Sequence, residues 1–402
     1  MRERASRDEQ RWPAALLAVL AAGAAIAGGC AAPRFEGPLS TEGAAPRTAT
    51  VEEIAVLIPE TVAERREWSE AILAALTQNH LPADRTSVCA VVAVIGQESG
   101  FQANPVVPGL ARIVRARIDR YKAKLGPLGD PLLERLLAGH APGDPRPFTQ
   151  RLDTVRTERD VDLLFRDLLA YYQDNHPALF EAVAWARKLA DLDELTDLDP
   201  ITTAGSMQVS VRFATQWARE HGGAPSVSAV RDALYTRAGG VYYGAARLLG
   251  YPVHYDRPVY LFADYNAGYY ASRNAAVQAH VARLTGLPLA LDGDLLAYDR
   301  NGDPSDKESA SEQAVQSFAA RHAPGLTAGQ IRSDLLAEKT LAFEQTETYR
   351  AISAAEQRAG RPAEYARLPD LALNSTKLTR PLSTTWFARA VDRRYQTCMA
   401  AP

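Results

Sequence analysis

Residues 88–101 read Val88-Cys89-Ala90-Val91-Val92-Ala93-Val94-Ile95-Gly96-Gln97-Glu98-Ser99-Gly100-Phe101. The apolar run from Val88 to Ile95 is rich in β-branched residues and has no period that separates a strand from a helix, so propensity alone favours a buried strand. No second run of this kind exists to pair with it, and the expectation is therefore a buried helix in a mainly α protein. A carboxylate at the mouth of such a helix is partly desolvated, which favours its protonated form and suits Glu98 to general acid work near neutral pH. The plainer alternative is a helix end closed by Gly100, with Glu98 in solvent.

Working outward, helical patterns dominate. Thr50 with Glu53 and Thr61 with Glu64 are capping-box pairs, and Trp68, Ile72, Leu73 and Leu76 line one helical face behind the second. Apolar residues recur at three- and four-residue steps over Leu110–Leu125, Pro131–Gly139, Glu158–Tyr172, Pro177–Leu192, Val211–His221, Ser226–Leu249, Pro258–Asp264, Ala271–Leu284, Ser309–His322 and Thr327–Gly360. The domain boundaries this implies are a helical domain over 50–290, with an inserted section at about 111–200, and a C-terminal helical extension over 291–402.

Arg2, Arg4, Arg7 and Arg11 precede an apolar stretch from Ala14 to Ala27, and Gly28 and Gly29 lead to Cys30. A basic start, a short apolar run and a small-residue site make 1–29 a signal peptide; the run is shorter than the ~20 residues needed to span a bilayer. Cys30 after small residues resembles the lipobox of bacterial lipoproteins, in which the thiol is lipidated, although Ala27 stands where Leu is usual. With Ala31 next, the resemblance implies a lipid anchor at the periplasmic face of the outer membrane, with plain secretion as the alternative. Residues 30–49, rich in Ala, Pro, Gly, Ser and Thr, read as a flexible tether.

The 402 residues are 47% hydrophobic and 23% charged, which suits a globular core, and 45 basic residues against 48 acidic ones argue against a nucleic-acid partner. In an oxidising compartment Cys89 and Cys398 permit one disulfide, but Cys89 in its apolar run is equally at home as a buried thiol. Seven scattered histidines give no helical metal pair. The stretch Leu291–Asp306 offers Asp299, Asn301 and Asp303 but has Pro304 and Ala310 where an EF-hand needs Gly and Glu, so it reads as a solvated loop. No metal or cofactor is expected.

Two further clusters share the character of the first: Ala204-Gly205-Ser206-Met207-Gln208-Val209 and Asp264-Tyr265-Asn266-Ala267-Gly268-Tyr269. Glycine in each lets backbone approach a ligand, and Gln208, Tyr265 and Asn266 offer donors and acceptors suited to sugar hydroxyls and amides. Tyr269 and Tyr270 are candidates for stacking on sugar faces.

Glu-Ser-Gly-Phe, Gly-x-Met-Gln and Tyr-Asn-Ala-Gly, in this order, resemble the motif set of the soluble lytic transglycosylases, lysozyme-like enzymes related to goose-type lysozyme. The motif order and the lipoprotein start also look like a family of uncharacterised bacterial lipoproteins. The enzyme resemblance implies a lysozyme-like helical domain in which Glu98 is the single catalytic acid/base with Ser99 beside it, Gln208 lines the sugar cleft, and Tyr265 and Asn266 position carboxyl and substrate. It implies cleavage of the glycosidic bond between N-acetylmuramic acid and N-acetylglucosamine in peptidoglycan, with 1,6-anhydro ends. A peptidoglycan-binding lipoprotein with little or no turnover is the alternative. The sequence departs from the pattern in three places: Glu98 and Gly205 stand 107 residues apart instead of a few tens, Ser206 replaces Leu, and Asp264 replaces Ala. Asp264, turned about 100° from Tyr265 on a helix, is expected as a surface charge; facing the cleft, it would be able to activate water.

Overall fold

The computed structural model describes residues 48–125, 134, 137–177, 201–299, 302–361, 364–373 and 382–402. The signal segment, Cys30, most of the tether, Asn301, most of the helix expected over Pro131–Gly139 and nearly all of that over Pro177–Leu192 lie outside the described residues.

The described residues form 15 α-helices and two short antiparallel strand pairs, a mainly α fold. First come α1 (Val51–Leu57), α2 (Arg65–Gln78) and α3 (Arg85–Glu98), then α4 (Leu110–Leu125), α5 (Phe148–Thr154) and α6 (Glu158–Asn175). The hairpin β1 (Thr203–Ala204) and β2 (Val209–Ser210) leads into α7 (Val211–Glu220), α8 (Val227–Leu234), α9 (Arg237–Leu249), α10 (Val259–Ala267) and α11 (Ala271–Thr285). After these stand α12 (Ala310–His322), α13 (Ala328–Leu335), α14 (Glu347–Arg358), the pair β3 (Ala372–Leu373) and β4 (Leu382–Ser383), and α15 (Thr384–Met399).

The run Val88–Ile95 is helical and every one of its side chains is buried. Burial on all sides removes any amphipathic stripe, which is why the sequence showed no period there. Asp84 caps the helix by accepting from the Ser87 amide at 2.8 Å. Around α3 the main core gathers Ile54, Trp68, Ile72, Leu76, Val241, Leu248, Phe262, Phe387 and Val391. Cys89 and Cys398 form a disulfide, Cα atoms 5.5 Å apart, which fastens α3 to α15.

The stretch after residue 290 divides its packing. Leu295, Phe318, Ile331, Leu335, Phe343 and Ile352 make a second core with Val277 and Val281 of α11, whereas α15 returns to the first. Fully buried Arg273 fastens α11 to the second core: its guanidinium donates to the Glu338 and Thr340 carbonyls and meets the Glu344 carboxylate at 3.3 Å.

Local competition explains where the helices differ from the sequence pattern. Thr50 and Glu53 form their capping box, but Thr61 and Glu64 do not: Glu64 adopts φ 56° outside α2 and pairs with Arg237. The single helix expected over Ser226–Leu249 breaks at Thr236, whose hydroxyl accepts from the Gly239 amide and donates to the Ala233 carbonyl. That expected over Thr327–Gly360 breaks where the buried Glu338 carboxylate takes the Leu295 and Leu296 amides and Asp334 takes the Thr348 amide. Helix α15 lies within the expected C-terminal helical extension, beyond the last individual helical stretch of the pattern, and Ser383 caps it.

Candidate functional site

Glu98 is the last residue of α3 and is half-buried. The chain turns sharply after it through Gly100 and Phe101 at φ 59° and 64°, and the Phe101 ring packs edge-on against Trp68 at 5.4 Å. Ser99 spends its hydroxyl on this turn, donating to the Ile95 carbonyl and accepting from the Gln102 amide, both at 3.2 Å.

The second motif is the turn of the β1–β2 hairpin. Gly205, at φ 80°, has no room for a Cβ, which would lie 2.1 Å from the Leu234 carbonyl oxygen. The glycine thus serves a close approach to α8, where the sequence reading had a ligand. Met207 is fully buried against Gly244, and Gln208 follows in the left-handed region at φ 51°.

The third motif ends α10. The Tyr265 hydroxyl donates to the Met207 carbonyl at 2.7 Å, joining the third motif to the second. Burial pushes the Tyr265 phenol well above the ordinary tyrosine range, and the charge of Glu98 adds to the effect, so Glu98 lies within electrostatic reach of Tyr265. Tyr265 is thus bonded to the Met207–Gln208 turn and feels the charge of Glu98. Asn266 is exposed, and its amide oxygen accepts from the Thr384 hydroxyl at 3.4 Å.

Asp264 is neither a surface charge nor in position to activate water. It is fully buried and accepts from Tyr255 at 2.6 Å, Tyr251 at 3.0 Å and the Ser272 amide at 2.7 Å. Desolvation raises its pKa, and those donors oppose the rise. Beside Tyr265, Arg247 lies over the Tyr269 ring at 4.2 Å and donates to the Asp264 carbonyl. Tyr269 stacks on Tyr251 at 4.1 Å and is part-exposed, whereas Tyr270 is buried with its hydroxyl on the Pro252 carbonyl.

The section between the first two motifs reaches the site. Gln208 donates from Nε2 to Glu158 Oε2 at 2.9 Å, and Glu158, the first residue of α6, is 2% exposed. Val155 and Val161 of this section pack with Leu110 and Ile201 in a small core of their own.

No group of three His, Cys, Asp or Glu able to hold a metal occurs among the described residues. A cavity of about 400 Å3 lies elsewhere, lined by Asp292, Asp294, Leu296, Tyr298, Ser309 and Ser311. Its acids are engaged within the protein, Asp292 with Gln278 and Asp294 with Lys339.

With this geometry in place, comparison with known proteins places the chain. A family model described as a protein of unknown function, DUF1615, matches residues 61–401. The chain belongs to the DUF1615 family. A relative from Escherichia coli (strain K12), described as the uncharacterized protein YaiW, is 35% identical over 343 residues, 85% of this chain and 87% of that protein. No solved structure matches.

The DUF1615 match takes in Glu98, Glu158, Gln208, Tyr265 and both bridged cysteines. Glu158 and Arg247 were missed as site residues by sequence reasoning. An acid in the first turn of a helix is what the helix dipole favours anyway, so nothing in the sequence separates Glu158 from an ordinary helix start. Arg247 reads equally as a last-turn cation of α9.

Proposed function

We propose that this DUF1615 protein is a peptidoglycan lytic transglycosylase that cleaves between N-acetylmuramic acid and N-acetylglucosamine. The observation that carries the reading is the hydrogen bond from Tyr265 to the Met207 carbonyl, which joins the third motif to the second, with Glu98 within electrostatic reach of Tyr265. These residues stand far apart in sequence and carry the three motifs that resemble the lytic transglycosylases.

Glu98 donates its proton to the glycosidic oxygen as the C1–O bond breaks, and N-acetylglucosamine leaves with that proton on its 4-hydroxyl. The muramoyl 6-hydroxyl attacks C1, its proton returns to Glu98, and a 1,6-anhydro ring closes without water. Glycosidases that instead use water generally need two carboxylates facing the bond. Asp264, the candidate for the second, is turned into the core and held by three donors, which favours the one-acid route. Tyr265 and Asn266 would position the carboxyl and the substrate, and Gln208 would line the cleft. The partners of this reading are glycan strands and, through a lipid on Cys30, the periplasmic face of the outer membrane.

A second reading, a peptidoglycan-binding lipoprotein with little turnover, is favoured by one observation: Gln208 already bonds to Glu158 and Thr203 within the protein. Release of soluble glycan from purified sacculi by the full chain separates the two. Release that Glu98→Gln abolishes supports the enzyme; co-sedimentation with sacculi without release supports the binder.

A further inference from the structure

We infer that Glu158 is a positioning residue that fixes the Gln208 amide so that it offers a ligand its oxygen and not its nitrogen; the inference rests on the peptidoglycan reading and specifies how the sugar site is set. A carboxamide has two donor hydrogens and two acceptor lone pairs. Gln208 directs one hydrogen to Glu158 Oε2 at 2.9 Å and the other to the Gly205 carbonyl at 3.3 Å. Its oxygen accepts once, from the Thr203 hydroxyl at 3.2 Å. Among the described residues the nitrogen donates to two acceptors, and the oxygen has one lone pair left. The Gly205 carbonyl can only accept, so the nitrogen faces it and Glu158 together and the amide does not sit flipped. Gln208 is part-exposed, and the group it presents is therefore an acceptor, matched to a sugar hydroxyl or an acetamido N–H.

The placement of Glu158 is well supported. Thr157 caps α6 in a capping box with Asp160, Val106 bridges to Thr157, and Asn104 Nδ2 donates to the Thr157 hydroxyl at 3.2 Å. The chain that leaves Glu98 is thus stitched, within a few residues, to the residue before Glu158. The section between the motifs completes the sugar site by this route.

The test uses the full chain and purified peptidoglycan sacculi as the probe, with binding read by sedimentation and folding by thermal melting. Glu158→Ala is expected to raise the half-saturating sacculus concentration on the order of tenfold, the scale of one lost charge-assisted hydrogen bond. Glu158→Gln, which keeps an acceptor oxygen, recovers most of that loss, and Glu158→Ala adds nothing in a Gln208→Ala background. Where Glu158→Ala does not melt cooperatively, the exchange decides: Gln208→Glu weakens binding, and adding Glu158→Gln restores the pair with donor and acceptor reversed. A Glu158→Ala chain that binds like wild type, an undiminished loss in the Gln208→Ala background, or an exchange without recovery overturns the inference while leaving the peptidoglycan reading intact. A wild-type chain that neither binds nor degrades sacculi overturns both.

Discussion

The Tyr265 hydroxyl donates to the carbonyl oxygen of Met207 at 2.7 Å, across 58 residues of chain, and by doing so ties the end of α10 to the hairpin that carries Gln208. Both partners are buried, so the carbonyl has no water to turn to if the phenol is removed. Tyr265→Phe should therefore cost about 1–3 kcal/mol of stability, the range for a buried polar group left unsatisfied. Urea unfolding checks the stability, and the same variant should lower glycan release further than its stability loss explains, because the Gln208 turn loses its tether. Unchanged release would remove Tyr265 from the site.

Gly205→Ala is expected to be among the more damaging single-methyl changes. Its Cβ would meet backbone, the Leu234 carbonyl, in a conformation with φ 80° that other residues rarely adopt. A loss of at least ~2 kcal/mol follows, with weakened sacculus binding. Gly329→Ala is the control: nothing among the described residues lies within 4 Å of its Cβ position and its φ is not in the left-handed region.

The disulfide closes a loop of 309 residues between α3 and α15. Replacing both cysteines by serine, or reducing the bond, should destabilise the chain by about 2–4 kcal/mol. Because α3 ends in Glu98, a reducing agent should lower the midpoint of thermal inactivation of the wild type and leave the double-serine chain unmoved. Equal midpoints for wild type with and without reductant would count against the bond.

His280 supplies a pH prediction. It is 3% exposed, its Nε2 has no hydrogen-bond partner among the described residues, and desolvation, aided by Arg283, lowers its pKa. The unfolded state then binds the proton more readily. Stability is full above the unfolded value of about 6.5 and falls as pH drops through the lowered folded value. Unfolding free energies at pH 7.5 and 5.5 should show a larger acid loss for wild type than for His280→Gln; identical losses would show that His280 is accessible to protons in the folded state.

The sequence made legible the parts of the fold governed by local signals. The Thr50–Glu53 capping box and the 110–125 helix stand where the pattern placed them, because caps and amphipathic faces are written in neighbouring residues. The breaks at Thr236 and around Glu338 were not legible, since they depend on bonds to distant groups such as the Leu295 and Leu296 amides. At the site, the motifs named Glu98, Gln208 and Tyr265. They did not show that Asp264 turns inward onto Tyr251 and Tyr255, or that a buried acid from α6 holds Gln208. Both facts arise from packing between elements far apart in the chain.

The most direct test of the central claim is mass spectrometry of the soluble products formed when the full chain is incubated with purified peptidoglycan. Glu98 acting as the single acid/base predicts muropeptides ending in 1,6-anhydro sugars, lighter by one water than hydrolytic fragments and absent with Glu98→Gln. Fragments with ordinary reducing ends, or anhydro products that persist in the Glu98→Gln chain, would contradict it.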